Sequence, residues 1–291
     1  MSRKKLPLGI QDFEMLRTGN FVYVDKTEFI YELVDIPLAY YFLSRPRRFG
    51  KSLLISTLAA LFKGKRDLFD GLWIAGNTGY SWEPHPVITI DFNEISHQQP
   101  ELLEQGIKDT LNELSKQFQL TIDVRLIPES FRNLIVKVSK KYNKPVVVLI
   151  DEYDKAIISH LGKGKKELEI AKENRSVLKE LFGVLKGQSV SGILRFVFLT
   201  GVSKFSQVSI FSDLNNLDDL TMLKPFSTIL GYTEEELYHY FNEYMTELAE
   251  ELSLSEEECK SRLREWYNGY RFTSRDITVY NPYSILSVFK N

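Results

Sequence analysis

Four short apolar runs, separated by long stretches of helical periodicity, constrain the fold more than any other feature of this chain. They are "AYYFL" (39–43), "PVITIDF" (86–92), "PVVVLID" (145–151) and "LRFVFLTG" (194–201). Each is rich in β-branched or aromatic residues, and three are nearly unbroken, the pattern of strands covered on both faces. After the first run, Leu54, Ile55, Leu58, Leu61 and Phe62 recur on one face of a helix. "ELLEQGIKDTLNELSKQF" and "ESFRNLIVKVSKKY" separate the second run from the third, and "RSVLKELFGVLKG" separates the third from the fourth. Strand–helix–strand order with crossovers of this length predicts an α/β fold, a parallel sheet with helices on both faces.

From about Gly231 the strong strands stop. "TEEELYHYF" pairs Thr233 with Glu236 and "SEEECKSRL" pairs Ser255 with Glu258, the spacing of helix capping boxes. The expected organisation is a nucleotide-binding domain over residues 1–228 and a small, mostly helical, winged-helix-like lid over 229–291. "NPYSILSVFKN" at the end reads as a helix cut short, from a chain that either ends abruptly or has lost a further domain.

The phosphate-binding expectation comes from "RPRRFGKS" (45–52), which follows the first strand and opens the first long amphipathic helix. In such a turn, backbone N–H groups surround a β-phosphate at a helix N-terminus that already favours anions. Lys51 would add a point charge on the β/γ oxygens, and Ser52 would ligate Mg²⁺. Arg47, Arg48, Phe49, Gly50, Lys51, Ser52 and Leu53 are the candidate cradle. Arg45 stands where the usual pattern has its first glycine, with Pro46 beside it to shape the turn. A basic strand-to-helix connection with no ligand is the plain alternative.

The third run changes that balance. It ends in Asp151-Glu152, where an Asp suits Mg²⁺ and the adjacent Glu suits a general base for the attacking water. Ligands of doubly wound sheets bind beyond the carboxyl ends of the strands, so both half-motifs converge on one crevice. Thr200, ending the fourth run, is a candidate polar sensor of the γ-phosphate, against the plain reading of a strand-ending hydroxyl.

The stretches "GIQDFEMLRTGNFVYVDKTEFI", "FLSRPRRFGKSLL", "PVVVLIDEYDKAI", "LTGVSKFSQVSIFSDLNNL", "GYTEEEL" and "WYNGYRF…YNPYSIL" together resemble the AAA-ATPase-like family of bacterial and archaeal proteins. The resemblance runs from about Leu8 to Leu286 and makes Arg45 a family habit. It implies ATP and Mg²⁺ as ligands, ATP over GTP, and a PD-(D/E)XK nuclease-like domain after this region. The expectation is that this domain is missing here. The one acidic-x-Lys triplet, Glu258-Cys259-Lys260, falls in a helical pattern and reads as a solvated face. By the same resemblance "YVDKT" (23–27) packs beside the adenine, although Asp25 or Thr27 capping a helix is the plainer account.

Arg47 and Arg48 would grip the γ-phosphate or organise the turn. "SDLNNL" (212–217) offers Asn215 and Asn216 as polar contacts, with turn chemistry favoured. "WYNGYRF" gathers Trp266, Tyr267, Tyr270 and Phe272 around Asn268-Gly269, a hairpin or wing between the domains. Arg271 there is a candidate lid contact, and "GKGKK" (162–166) is a solvated loop. Arg175 and Arg195 are candidates, from position alone, for a charge-stabilising arginine.

Composition bounds the alternatives. A formal charge of −2 over 291 residues gives no chain-wide field for nucleic acid, so DNA is a weak partner expectation. The single Cys259 excludes an internal disulfide framework, and four scattered His make no Cys/His metal site. The N-terminus lacks an apolar signal core and no run approaches the ~18 residues of a membrane span. The expectation is a cytoplasmic, slow Mg-dependent ATPase coupled to domain movement. Its rivals are a nucleotide-bound switch acting on a protein partner and a DNA-associated module serving a nuclease domain.

Overall fold

The computed structural model describes residues 3–203 and 217–290. Asn215 and Asn216 therefore lie outside the described residues. Helices α1 (Phe13–Thr18) and α2 (Thr27–Val34) precede β1 (Ala39–Ser44), and α3 (Lys51–Phe62) and α4 (Trp73–Asn77) lead to β2 (Val87–Asp91). Next, α5 (Pro100–Gln117) and α6 (Ile127–Tyr142) lead to β3 (Val146–Asp151). Then α7 (Lys155–Ile158), α8 (Lys165–Gly183) and α9 (Gln188–Ser191) lead to β4 (Leu194–Gly201). A two-residue β5 (Asp218–Asp219) precedes α10 (Glu234–Glu251), α11 (Glu256–Tyr267) and α12 (Pro282–Val288).

The sheet runs β2-β3-β4-β1-β5 and every pairing is parallel. The four expected strands are present within a residue of their predicted ends. β5 is an addition, too short to leave a periodic trace in the sequence. In this order β4 lies between β1 and β3, the strands that carry the two half-motifs. Register sets Leu43 beside Thr200 and Asp91 beside Asp151, so four strand ends come out along one edge.

Alternation along the strands divides the core in two. Tyr40, Phe42, Val148, Ile150, Val197 and Leu199 face α5, α6 and α8, while Tyr41, Leu43, Val147, Leu149, Phe196 and Phe198 face α2 and α3. Each fully buried aliphatic or aromatic side chain contributes about 1.5–3 kcal/mol, and that burial fixes β1 and β3 as rigid platforms for their exits. On α3 the expected stripe of Leu54, Ile55, Leu58, Leu61 and Phe62 is buried throughout.

A third cluster joins Leu237, Phe241 and Met245 of α10 to Cys259 and Leu263 of α11, with Ile285 and Leu286 of α12. Val22 and Val24 belong to it as well, so the C-terminal helices build their core with residues from the other end of the chain. Both capping boxes form, Thr233 with Glu236 and Ser255 with Glu258. The aromatic segment departs from expectation at one residue. Tyr270 bridges Val279, but Trp266 is 74% exposed and packs into no domain junction. It lies in the last turn of α11, on the same side as Leu263 and Cys259 but beyond the packed cluster.

Candidate functional site

The chain leaves β1 at Ser44, where the Arg45 N–H donates to Gly201 O at 3.1 Å. It then turns sharply through Arg48 at φ 67° and Gly50 at φ 93° into α3. An added Cβ at Gly50 meets nothing nearer than 3.8 Å, so backbone handedness and not crowding calls for glycine here. The backbone N–H groups of Arg47, Arg48, Gly50, Lys51, Ser52 and Leu53 donate to no acceptor among the described residues. These unpaired donors sit at the amino end of α3, where the helix dipole adds to their attraction for an anion.

Arg45 does not face this anion site. It is 1% exposed, and its guanidinium donates to the carbonyls of Ser44 (2.9 Å), Thr221 (2.9 Å) and Phe226 (3.0 Å). Phe272 lies over it at 4.0 Å. Burial lowers its pKa to about 10, partly countered by Asp219. The arginine in the glycine's place is thus a buried tie between the loop, the chain after β5 and the C-terminal segment. Phe49 points the same way, its ring 4.8 Å from Tyr270 and 5.5 Å from Phe272. Its ring therefore takes no part in the anion site. Arg48 stacks on Tyr283 at 4.0 Å, and Asn281 donates to Arg47 O at 3.4 Å.

Lys51 and Glu152, expected from opposite half-motifs, meet directly. The ammonium lies 3.0 Å from Glu152 Oε1 and donates to Arg45 O and Pro46 O at 3.1 and 3.3 Å. The ammonium is thus held by one carboxylate and two carbonyls. Glu152 sits at φ 50°, an uncommon conformation for a side-chain-bearing residue, and its N–H donates to Asp151 Oδ1 at 3.0 Å. Asp151 is buried and also accepts the Thr200 hydroxyl. Thr200 is fully buried. Its hydroxyl donates to Asp151, because β4 brings it alongside the neighbouring strand end.

Lys51 and Glu152 open on a cleft of ≈ 680 Å³ lined also by Arg47, Arg48, Gly50, Ser52, Leu53 and Lys155, and by Asp91 at the end of β2 with Asn93 and Glu94 beyond it. Ser52 and Asp91 line the cleft and Asp151 ends β3 beside Asp91; their oxygens are of the kind Mg²⁺ accepts, alongside substrate phosphates and water. Among the described residues no three His, Cys, Asp or Glu are grouped to hold a metal unaided, so phosphate oxygens fit the remaining positions. Beside the cleft is a smaller apolar pocket of ≈ 80 Å³, lined in part by Tyr23, Val24, Lys26, Gly50, Leu53, Leu230 and Tyr232. The "YVDKT" stretch therefore does border the loop. Asp25, one residue before the Lys26 N-cap position, accepts from Thr27 N at 2.8 Å at the start of α2.

Two carboxylates here escaped the sequence reading. Asp91 ends β2 as Asp151 ends β3, and burial pushes its carboxyl up, reinforced by Asp151. The shared ending, an apolar run closing on Asp, was the available signal. Asp154 accepts from Val202 N and Ser203 N at 3.0 and 2.6 Å and holds the exit of β4, with burial raising its pKa. That approach leaves a Cβ on Gly201 only 2.6 Å from the Tyr153 ring. Other candidates fall away from the cleft. Arg195 donates to Ile36 O and Val34 O near the amino end of β4, Arg175 is on the exposed face of α8, and Arg271 faces Asp276 at 3.9 Å. Lys165 and Lys166 open α8, and Glu258-Cys259-Lys260 lies within α11.

A parallel sheet flanked by helices, with an unpaired-amide loop between β1 and α3, defines a P-loop-type nucleotide-binding fold. Residues 7–211 match the family described as "Predicted AAA-ATPase", and the chain belongs to that AAA-ATPase-like family. It is 41% identical over 291 residues to an uncharacterized protein in the vnfD 5′ region of Azotobacter chroococcum mcd 1. All of this chain is covered, but it spans only 52% of that relative's length. Among solved structures, similarity extends to Drosophila ORC bound to GC-rich DNA and Cdc6, with 10% identity, TM-score 0.36, and 87% of this chain and 78% of that one covered. C. elegans PCH-2 gives 13% identity and TM-score 0.32 over 82% of this chain and 45% of that one. Among the described residues no helix is long and apolar enough to cross a membrane.

Proposed function

We propose that the protein binds ATP with Mg²⁺ and hydrolyses it slowly to ADP and phosphate. The observation that carries this reading is the meeting of unpaired N–H groups from Arg47 to Leu53, the Lys51 ammonium and the Glu152 carboxylate in one cleft. The amides and Lys51 would hold the β- and γ-phosphates. Ser52 and Asp151 would hold Mg²⁺, which when bound neutralises charge on the phosphate oxygens. Thr200 would fix the Asp151 carboxylate from beneath. The adjoining apolar pocket, with Tyr23 and Val24 on one side and Leu230 and Tyr232 on the other, would take the adenine. Glu152 would orient the attacking water once phosphate draws Lys51 away from it.

The same ion pair supports a second reading, a switch that binds nucleotide and changes state without appreciable turnover. While Glu152 neutralises Lys51, the general base is engaged, and a nucleotide that leaves the pair intact would not be hydrolysed. Titration with a fluorescent ATP analogue and Mg²⁺ tests the shared claim. Binding is expected to vanish in Lys51→Ala and to persist in Glu152→Gln. Phosphate release from wild type then separates enzyme from switch. Undiminished binding in folded Lys51→Ala would sink both readings.

A further inference from the structure

We propose that Lys155 is the cation that meets the γ-phosphate of a bound triphosphate, so that the chain needs no arginine from a second copy. The inference rests on the nucleotide reading above and names the partner of its reacting end. Lys155 opens α7, four residues past Asp151, and lines the same cleft as the phosphate loop. Its ammonium makes one hydrogen bond, 2.7 Å to the neutral amide oxygen of Asn93. No carboxylate comes within ion-pair distance of it among the described residues. Asn93 is itself fixed, its N–H donating to Asp91 Oδ1 at 2.8 Å.

Of the other cleft cations, Lys51 is offset by Glu152 and Arg48 lies over Tyr283, while Arg47, with no side-chain partner among the described residues, belongs to the phosphate loop itself. A triphosphate gripped at the β-phosphate by the loop amides would point its γ-phosphate towards the segment Glu152–Lys155. An uncompensated ammonium at that end stabilises charge where it builds up as the terminal bond breaks. In the step, the water oxygen bonds to Pγ as the bond from Pγ to the β,γ-bridging oxygen breaks. The electron pair leaves on ADP, and the water proton passes through Glu152 to the phosphate formed. Lys155 stays an ammonium throughout.

The test uses the full chain and measures dissociation constants for ADP and for the β,γ-imido analogue of ATP, together with phosphate release. Lys155→Met is expected to hold ADP within about twofold of wild type, to lose roughly tenfold in triphosphate-over-ADP preference, and to lose about 10²-fold in kcat. Lys155→Arg restores most of the preference, and Asn93→Ala, which leaves the ammonium untethered, loses less of it. Specific activity stays flat as wild-type protein concentration rises. A Lys155→Met protein with wild-type preference and turnover, alongside Lys51→Ala that no longer binds, overturns the inference alone. Should Lys155→Met not fold, an unchanged preference in Asn93→Ala together with activity rising with concentration overturns it. Wild-type binding in Lys51→Ala removes the nucleotide reading and this inference with it.

Discussion

At the scale of single residues, a buried arginine and a half-buried aspartate near the loop have opposite consequences for stability. Arg45 offers a planar fork of donors to three carbonyls from separate parts of the chain, and a lysine reaches only one or two of them. Arg45→Lys is expected to lower stability by about 1–3 kcal/mol, read from the urea midpoint, because buried carbonyls lose their partners. Asp91 pulls the other way. Its native carboxyl titrates above its ordinary range, chiefly through burial, so the unfolded chain releases this proton first as pH rises. The charged form therefore costs stability above the raised native pKa, and the cost fades as pH falls through that value. Asp91→Asn keeps an oxygen to accept the Asn93 N–H and removes the charge. At neutral pH it is expected to stabilise the nucleotide-free protein by about 1 kcal/mol, a rise in Tm of roughly 2–4 °C. Thermal melts across pH should show that advantage shrinking in acid; an advantage that grows there would mean Asp91 is not the strained group.

Among the elements, α10 is tied down at its first turn by two devices that share one carboxylate. Glu236 accepts from Thr233 N at 2.8 Å to close the capping box, and takes the Lys26 ammonium at 2.5 and 2.6 Å. Thr233→Ala removes one cap and should cost about 1 kcal/mol. Glu236→Gln keeps an acceptor for the cap but leaves Lys26, whose pKa burial already lowers, without its counter-charge. That change should cost about 3 kcal/mol, the low end for a buried pair since Glu236 keeps some solvent. Denaturant titrations in which the two variants cost the same would mean that the pair adds nothing beyond the cap. The cap was legible in "TEEE", because capping is a local matter of four residues. Its pairing with Lys26, two hundred residues away, left no mark. The same division holds throughout. The strands, α3 and the Asp151-Glu152 exit follow from local periodicity, whereas β5, the buried role of Arg45 and Thr200's bond to Asp151 depend on which strands become neighbours. A lone arginine or threonine carries no sign of that.

For the molecule as a whole, the phosphate loop and the C-terminal segment are one packed unit. Phe49 is held between Tyr270 and Phe272, Arg48 lies on Tyr283, and Asn281 reaches Arg47 O. A ligand that orders the loop must therefore act on α12 and the Tyr270–Val279 bridge as well. In wild type, ADP at a hundred times its dissociation constant should stabilise the native state by about 2.7 kcal/mol and raise one calorimetric transition by several degrees. Phe49→Ala removes the central ring without touching the amides or Lys51. The cavity alone should cost about 3–5 kcal/mol. If Phe49 is the link, the C-terminal segment then melts before the sheet, and ADP raises only the later transition. A variant that is simply less stable, with one transition still shifted in full by ADP, would assign the coupling to the polar contacts of Arg47 and Arg48. The two outcomes differ because a lost ring lowers stability in either case, but only a lost link divides the cooperative unit.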